Sequence, residues 1–172
     1  MALIPVRLYG DAVLRKKARP VESPDILNTD LIYDMIDTMY RKDGVGLAAP
    51  QVGESIRLAV IDLSLGESYN QAIVVINPEI FDPEGEAVIE EGCLSIPGIK
   101  EDVVRSSKLR VRFKDLTWED REMVCEGLLA RVISHELDHL NGTLFVDRIN
   151  SLKRKLLSAK LEEIAEDSSD PG

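Results

Sequence analysis

Two histidines four residues apart constrain this chain more than any other feature. They are its only histidines, and they flank a glutamate in the stretch "RVISHELDHLNG", residues 131 to 142. For both imidazoles to address one point the segment has to be a helix, on which His135 and His139 lie about 40° apart. Glu136 then sits beside them at about 100°, and Asp138 at about 300° turns partly away. Ala130, Ile133, Leu137 and Leu140 share the opposite side, where they can anchor the helix in a core. Leu128 and Val132 fall on the histidine side, so an apolar wall stands beside the imidazoles and suggests a pocket for an apolar side chain.

His-Glu-x-x-His is a metal-binding signature in which the histidines hold a divalent cation and the glutamate handles the proton of the attacking water. A catalytic site of this kind takes three protein ligands plus an open position, and no third histidine exists. Cys93, in "EEGCLSIPG" (90 to 98), ends an alternating apolar run between Gly92 and a Pro97-Gly98 turn, where a thiol is accessible to a ligand. Cys125, in "EMVCEG", better fits the common fate of a free cysteine, a small buried hydrophobe.

Around this helix the chain reads as one domain over residues 1–166, with a flexible acidic tail over 167–172. At 172 residues and 44% apolar it can bury one real core. Twenty-one Lys and Arg against 31 Asp and Glu give a formal charge of -10, the wrong sign for a sequence-independent grip on phosphates, so no direct nucleic acid partner is expected. The N-terminal apolar run is broken by Pro5 and Arg7, unlike a signal peptide, and no segment reaches membrane-spanning length. These features place the protein in the cytoplasm, where two cysteines remain thiols.

The apolar spacing from Asn28 to Lys42 predicts an amphipathic helix capped by Asn28 or Thr29. Short β-branched runs at 56 to 63, 72 to 78, 86 to 92, 108 to 116 and 122 to 127 predict strands. Helices follow over about 126 to 140 and 151 to 166. A helix, strands with hairpin-length connections and then helices argue for an α+β fold, mostly antiparallel strands packed around the central helix that carries HELDH. The loop "DGVGLAAPQVG" (43 to 53) matches the dinucleotide fingerprint only superficially, because a helix precedes it and Pro50 and Gly53 stop one from following. What remains is an irregular loop of small residues ending in Gln51, whose amide could donate to a developing oxyanion.

Three blocks now stand in order: "GVGLAAPQ" (44 to 51), "EGCLS" (91 to 95) and "HELDH" (135 to 139). Together they resemble the signature motifs of the peptide deformylases, and "VIDL", "INPEI" and the final charged helix extend the resemblance over nearly the whole chain. It implies a hydrolase that removes the formyl group from the N-terminal formylmethionine of newly made polypeptides and releases formate. It implies metal ligands Cys93, His135 and His139, Glu136 as acid and base, and Gln51 with the Leu94 N–H as oxyanion donors. Val45, Gly46 and Gly92 would make backbone contacts to the peptide, Ile89, Leu128 and Val132 would line the methionine pocket, and Glu91 and Arg105 would pair to steady the site. Asp138 is expected to orient neighbouring groups.

The cofactor implied is one divalent ion per chain, Fe2+ first, with Zn2+, Ni2+ or Co2+ as replacements; ligand softness alone would suggest zinc. The implied partners are N-formylmethionyl peptides and nascent chains at the ribosome exit, in a bacterial cytoplasm or an organelle. Two positions depart from the family's usual pattern: Ser134 stands where many members carry Gln, and Arg131 brings a charge to the pocket side. Two rivals make different demands. A zinc endopeptidase would recruit Glu162, Glu163 or Glu166 in place of Cys93, and a structural metal site would add Cys125 as a fourth ligand.

Overall fold

A computed structural model describes residues 2–64 and 71–169. The Asn28 side chain accepts a hydrogen bond from Leu31 N at 3.2 Å and so caps helix α1 (Thr29–Arg41), which buries Ile32, Met35, Thr38 and Met39. Strands β1 (Gly46–Ala48), β2 (Leu58–Ile61) and β3 (Ile73–Glu84) follow, then β4 (Ala87–Cys93), β5 (Ile96–Arg105), β6 (Lys108–Lys114) and β7 (Asp120–Glu126). The chain closes with α2 (Leu128–Leu140), α3 (Ser151–Leu156) and α4 (Ser158–Ser169).

Five strands form an antiparallel sheet in the order β1-β2-β3-β6-β7, while β4 and β5 form a separate two-stranded hairpin between β3 and β6 in the chain. One face of the large sheet takes α2: Ala130, Val132, Ile133 and Leu140 pack with Ile61, Val75, Leu109, Val111 and Phe113. A second apolar cluster joins α1 to β1 and β2. A third sets Ile96, Ile99 and Val103 of the hairpin against Phe145, Leu161 and Ile164. The α+β architecture expected from the sequence is therefore present, with the histidine-bearing helix between the sheet and the hairpin.

Several boundaries differ from the sequence reading. Pro97 and Gly98 lie inside β5, and the chain reverses at Leu94–Ser95, with Cys93 paired to Ile96. Gly98 keeps a left-handed φ of 80° within the strand, so the pair marks an irregularity there rather than a reversal. Strand β3 continues beyond the expected 78 to Glu84, across register shifts and positive φ at Asn77 and Asp82. The charged segment 151 to 166 is two helices that meet at Leu157, and α4 runs to Ser169, so 167–169 are helical; 170–172 lie outside the described residues.

Candidate metal centre and active site

The hairpin and α2 bring together side chains far apart in sequence. Strand β4 delivers Cys93 at its last residue, and α2 presents His135 and His139 one turn apart. The two Nε2 atoms lie 3.2 Å apart, Cys93 Sγ is 3.4 Å from His139 Nε2, and one donor atom from each of the three residues lies within 4.8 Å of the others. None of Glu162, Glu163, Glu166 or Cys125 belongs to this group. Cys125 is fully buried, and burial pushes its thiol pKa up, as expected of a packing residue.

The tautomer of His135 is set from behind. Glu91 Oε1 lies 3.0 Å from His135 Nδ1, so that nitrogen carries the proton and donates it, which leaves Nε2 as the ligating lone pair. Burial acts to lower the His135 pKa, but hydrogen bonds to Cys93 and Glu91 raise it to about 10. Burial and the charge of His135 hold His139 well below the ordinary imidazole range. The donor atoms of Cys93, His135 and His139 face a common centre. A thiolate and two imidazoles converging there suit a divalent cation of borderline softness.

Glu91 is itself buried, 7% exposed, with Arg105 bound through Nε at 2.6 Å and Nη2 at 2.9 Å and a further short bond from Arg131. Burial opposes its charge, yet the bonds from His135 and Arg105 prevail and hold its pKa down to about 2. Arg105 also reaches Asp138 at 2.8 Å, and Arg148 grips Asp138 through Nε and Nη2 at 2.5 and 2.6 Å. Asp138 thus orients arginines, in keeping with its place on the helix wheel. Arg148 and the bonding of Arg131 escaped the sequence reading, because neither sits in a motif whose spacing announces its partners.

Glu136 is 4% exposed, and its Oε2 is buried with no hydrogen-bond partner among the described residues. Burial pushes its carboxyl up to about 7, against the pull of His135 and Arg105. A carboxyl group so placed can exchange a proton near neutral pH. Gly46 makes room for it: a Cβ at that position would stand 2.6 Å from Glu136 Oε1. Gln51, 1% exposed, fixes its amide through Oε1, which accepts from Ala48 N at 3.0 Å, while Nε2 lies 3.1 Å from Ser95 Oγ and 3.6 Å from Cys93 Sγ. Ser95, beside Cys93 in "EGCLS", was a legible neighbour that the sequence reading passed over. Asp62, just after β2, is buried and accepts a hydrogen bond from the Tyr40 hydroxyl.

A cavity of about 510 Å³ opens onto these groups. Val45, Gly46, Ile89, Gly92, Leu128 and Val132, the substrate contacts that the family resemblance implies, all line it, as do Gln51, Leu94 and Glu136. The arrangement can hold a cation beside an apolar slot, with a buried carboxyl group and an amide donor among the lining residues.

Residues 3–155 match the family model described as polypeptide deformylase. A peptide deformylase of Chlorobaculum tepidum is 45% identical over 166 residues, which cover 95% of this chain and 89% of that one. Among solved structures, a peptide deformylase from Legionella pneumophila superposes with a TM-score of 0.89 at 45% identity, covering 99% of this chain and 100% of that one. The enzyme from Thermus thermophilus gives 0.88 at 43%, covering 96% and 99%.

Proposed function

The chain belongs to the polypeptide deformylase family, and from that premise we propose how its own residues divide the work. It is a metal-dependent hydrolase that removes the formyl group from new polypeptides. Cys93, His135 and His139 hold the cation in this proposal, and the convergence of their donor atoms within 4.8 Å is the observation that carries it. When bound, the cation supplies Lewis acidity that eases deprotonation of a water and draws charge from the formyl oxygen.

The protein's share of the reaction is positioning and proton transfer. Leu128, Val132 and Ile89 receive the methionine side chain, and the backbones of Val45, Gly46 and Gly92 align the peptide. Glu136 takes the proton of the attacking water as its oxygen bonds the formyl carbon. Gln51 Nε2 and the Leu94 N–H donate to the oxyanion that develops. Glu136 then returns the proton to the nitrogen as the carbon–nitrogen bond breaks, giving formate and a free amino terminus.

We further assign Fe2+ as the working ion, with Zn2+, Ni2+ or Co2+ able to replace it. Residues 1–166 form one catalytic domain in this reading, which acts in the cytoplasm on chains leaving the ribosome. No helix of the described residues is long and apolar enough to cross a membrane. Mass spectrometry of a formyl-Met peptide incubated with iron-loaded protein under anaerobic conditions tests the activity. Loss of the formyl group alone is expected, and cleavage inside the peptide would replace this reading with a protease.

A further inference from the structure

Arg131 is an arginine 4% exposed on the helix that carries the metal-binding histidines, one turn before His135. Its bonds run away from α2 to the hairpin. Nη1 donates to Glu91 Oε2, to Val103 O at 3.0 Å and to Ile89 O at 3.5 Å, and Nη2 donates to Ala87 O at 2.8 Å. Ile89 and Val103 face each other across the β4–β5 ladder, so the guanidinium closes over both strands at once. Only a planar fork with several donors can serve this many acceptors from one side chain.

Glu91 ties the far end of β4 to His135 and Arg105, and Arg131 takes the carbonyls of Ala87 and Ile89 before it. Among the described strands β4 pairs with β5 alone, and the hairpin's apolar anchors in β5, Ile96, Ile99 and Val103, pack toward the C-terminal helices. The cavity side of β4 offers Ile89, 43% exposed, which faces a cavity shared with Leu128, 50% exposed. Side chains that open to a pocket gain little packing to hold them, so their backbone has to be fixed from elsewhere. Arg131 does this from the helix turn that also presents Val132, the opposite wall of the same cavity.

We propose that Arg131 is a positioning residue for the substrate's first side chain, clamping the β4 lip against α2 and so setting the width of the slot that reads methionine. This rests on the deformylase reading of the cavity. Without the clamp the lip relaxes and the slot loses its fit, while His135 keeps its own bond to Glu91, which Arg105 continues to hold.

The test compares wild type, Arg131→Met and Arg131→Lys, all full chain and metal-loaded, on formyl-Met and formyl-Leu peptides otherwise identical. The ratio of kcat/KM values is independent of how much protein is active, so a merely structural role does not move it. Arg131→Met is expected to lower the Met-over-Leu ratio by about tenfold, mainly through KM, and to speed deuterium uptake over residues 87 to 91. Arg131→Lys, which keeps the charge and loses the fork, is expected to fall between, and it carries the comparison if the Met variant does not fold. An unchanged ratio with unchanged uptake overturns the proposal. Wild-type protein inert on both peptides would overturn the deformylase reading instead, and uptake over 87 to 91 would still decide whether Arg131 clamps the lip.

Discussion

The five-stranded sheet and the β4–β5 hairpin are both antiparallel, and they hold together by different means. In β6 the buried residues Leu109, Val111 and Phe113 alternate with outward Lys108, Arg110 and Arg112, so the sheet is fixed by apolar area removed from water. At the centre of the hairpin's inner side stands Glu91, held by two arginines and a histidine. Apolar burial is non-directional and forgiving, whereas a buried charge requires its partners at fixed angles. The lesson is that this protein entrusts its scaffold to the first kind of interaction and its reactive geometry to the second.

The contrast breaks most visibly at Glu91. Glu91→Ala leaves Arg105 and Arg131 buried around an absent carboxylate, and denaturant unfolding should record a loss of about 3–5 kcal/mol. Metal affinity of the folded fraction should fall by about 10–100-fold, because His135 loses the group that orients it. In the sheet, Leu109→Ala should cost about 3 kcal/mol and leave metal bound per folded chain unchanged. Equal metal loss in both variants would erase the distinction.

Acid probes the same carboxylate without a mutation. The folded-state pKa of Glu91, about 2, lies below its ordinary 4.5, so its stabilising contribution is fully present above pH 4.5 and is lost as pH falls toward 2. Unfolding followed across that window should show the loss in wild type and a shallower slope in Glu91→Ala. The smallest effect concerns the second thiol. Cys125→Ala should cost about 1 kcal/mol and keep both metal and deformylation, while Cys93→Ala keeps the fold and loses the metal on dialysis.

What the sequence disclosed follows the same division. Helix α1 and both faces of α2 were legible because burial imposes a period on apolar residues, and β6 was legible as a β-branched-rich run. The three site blocks were legible because the chemistry restricts which residues can stand at each position. Strand β5 was missed where Pro97-Gly98 imitates a turn, although Leu94–Ser95 makes the reversal. The break at Leu157 was hidden because no Gly or Pro marks it and the residues on both sides are compatible with one continuous helix. Arg131 was visible only as a charge near the pocket, since the carbonyls of Ala87, Ile89 and Val103 that explain it leave no trace in residue type.

The central claim is that Cys93, His135 and His139 hold the metal while Glu136 moves the proton. Its most direct test is Glu136→Gln, assayed for metal content and for kcat on a formyl-Met peptide. The account predicts metal per chain equal to wild type with kcat lower by about a thousandfold, within the range for removal of a general acid–base group. Turnover at the wild-type rate with metal retained would contradict it, and the proton's carrier would have to be sought elsewhere in the cavity.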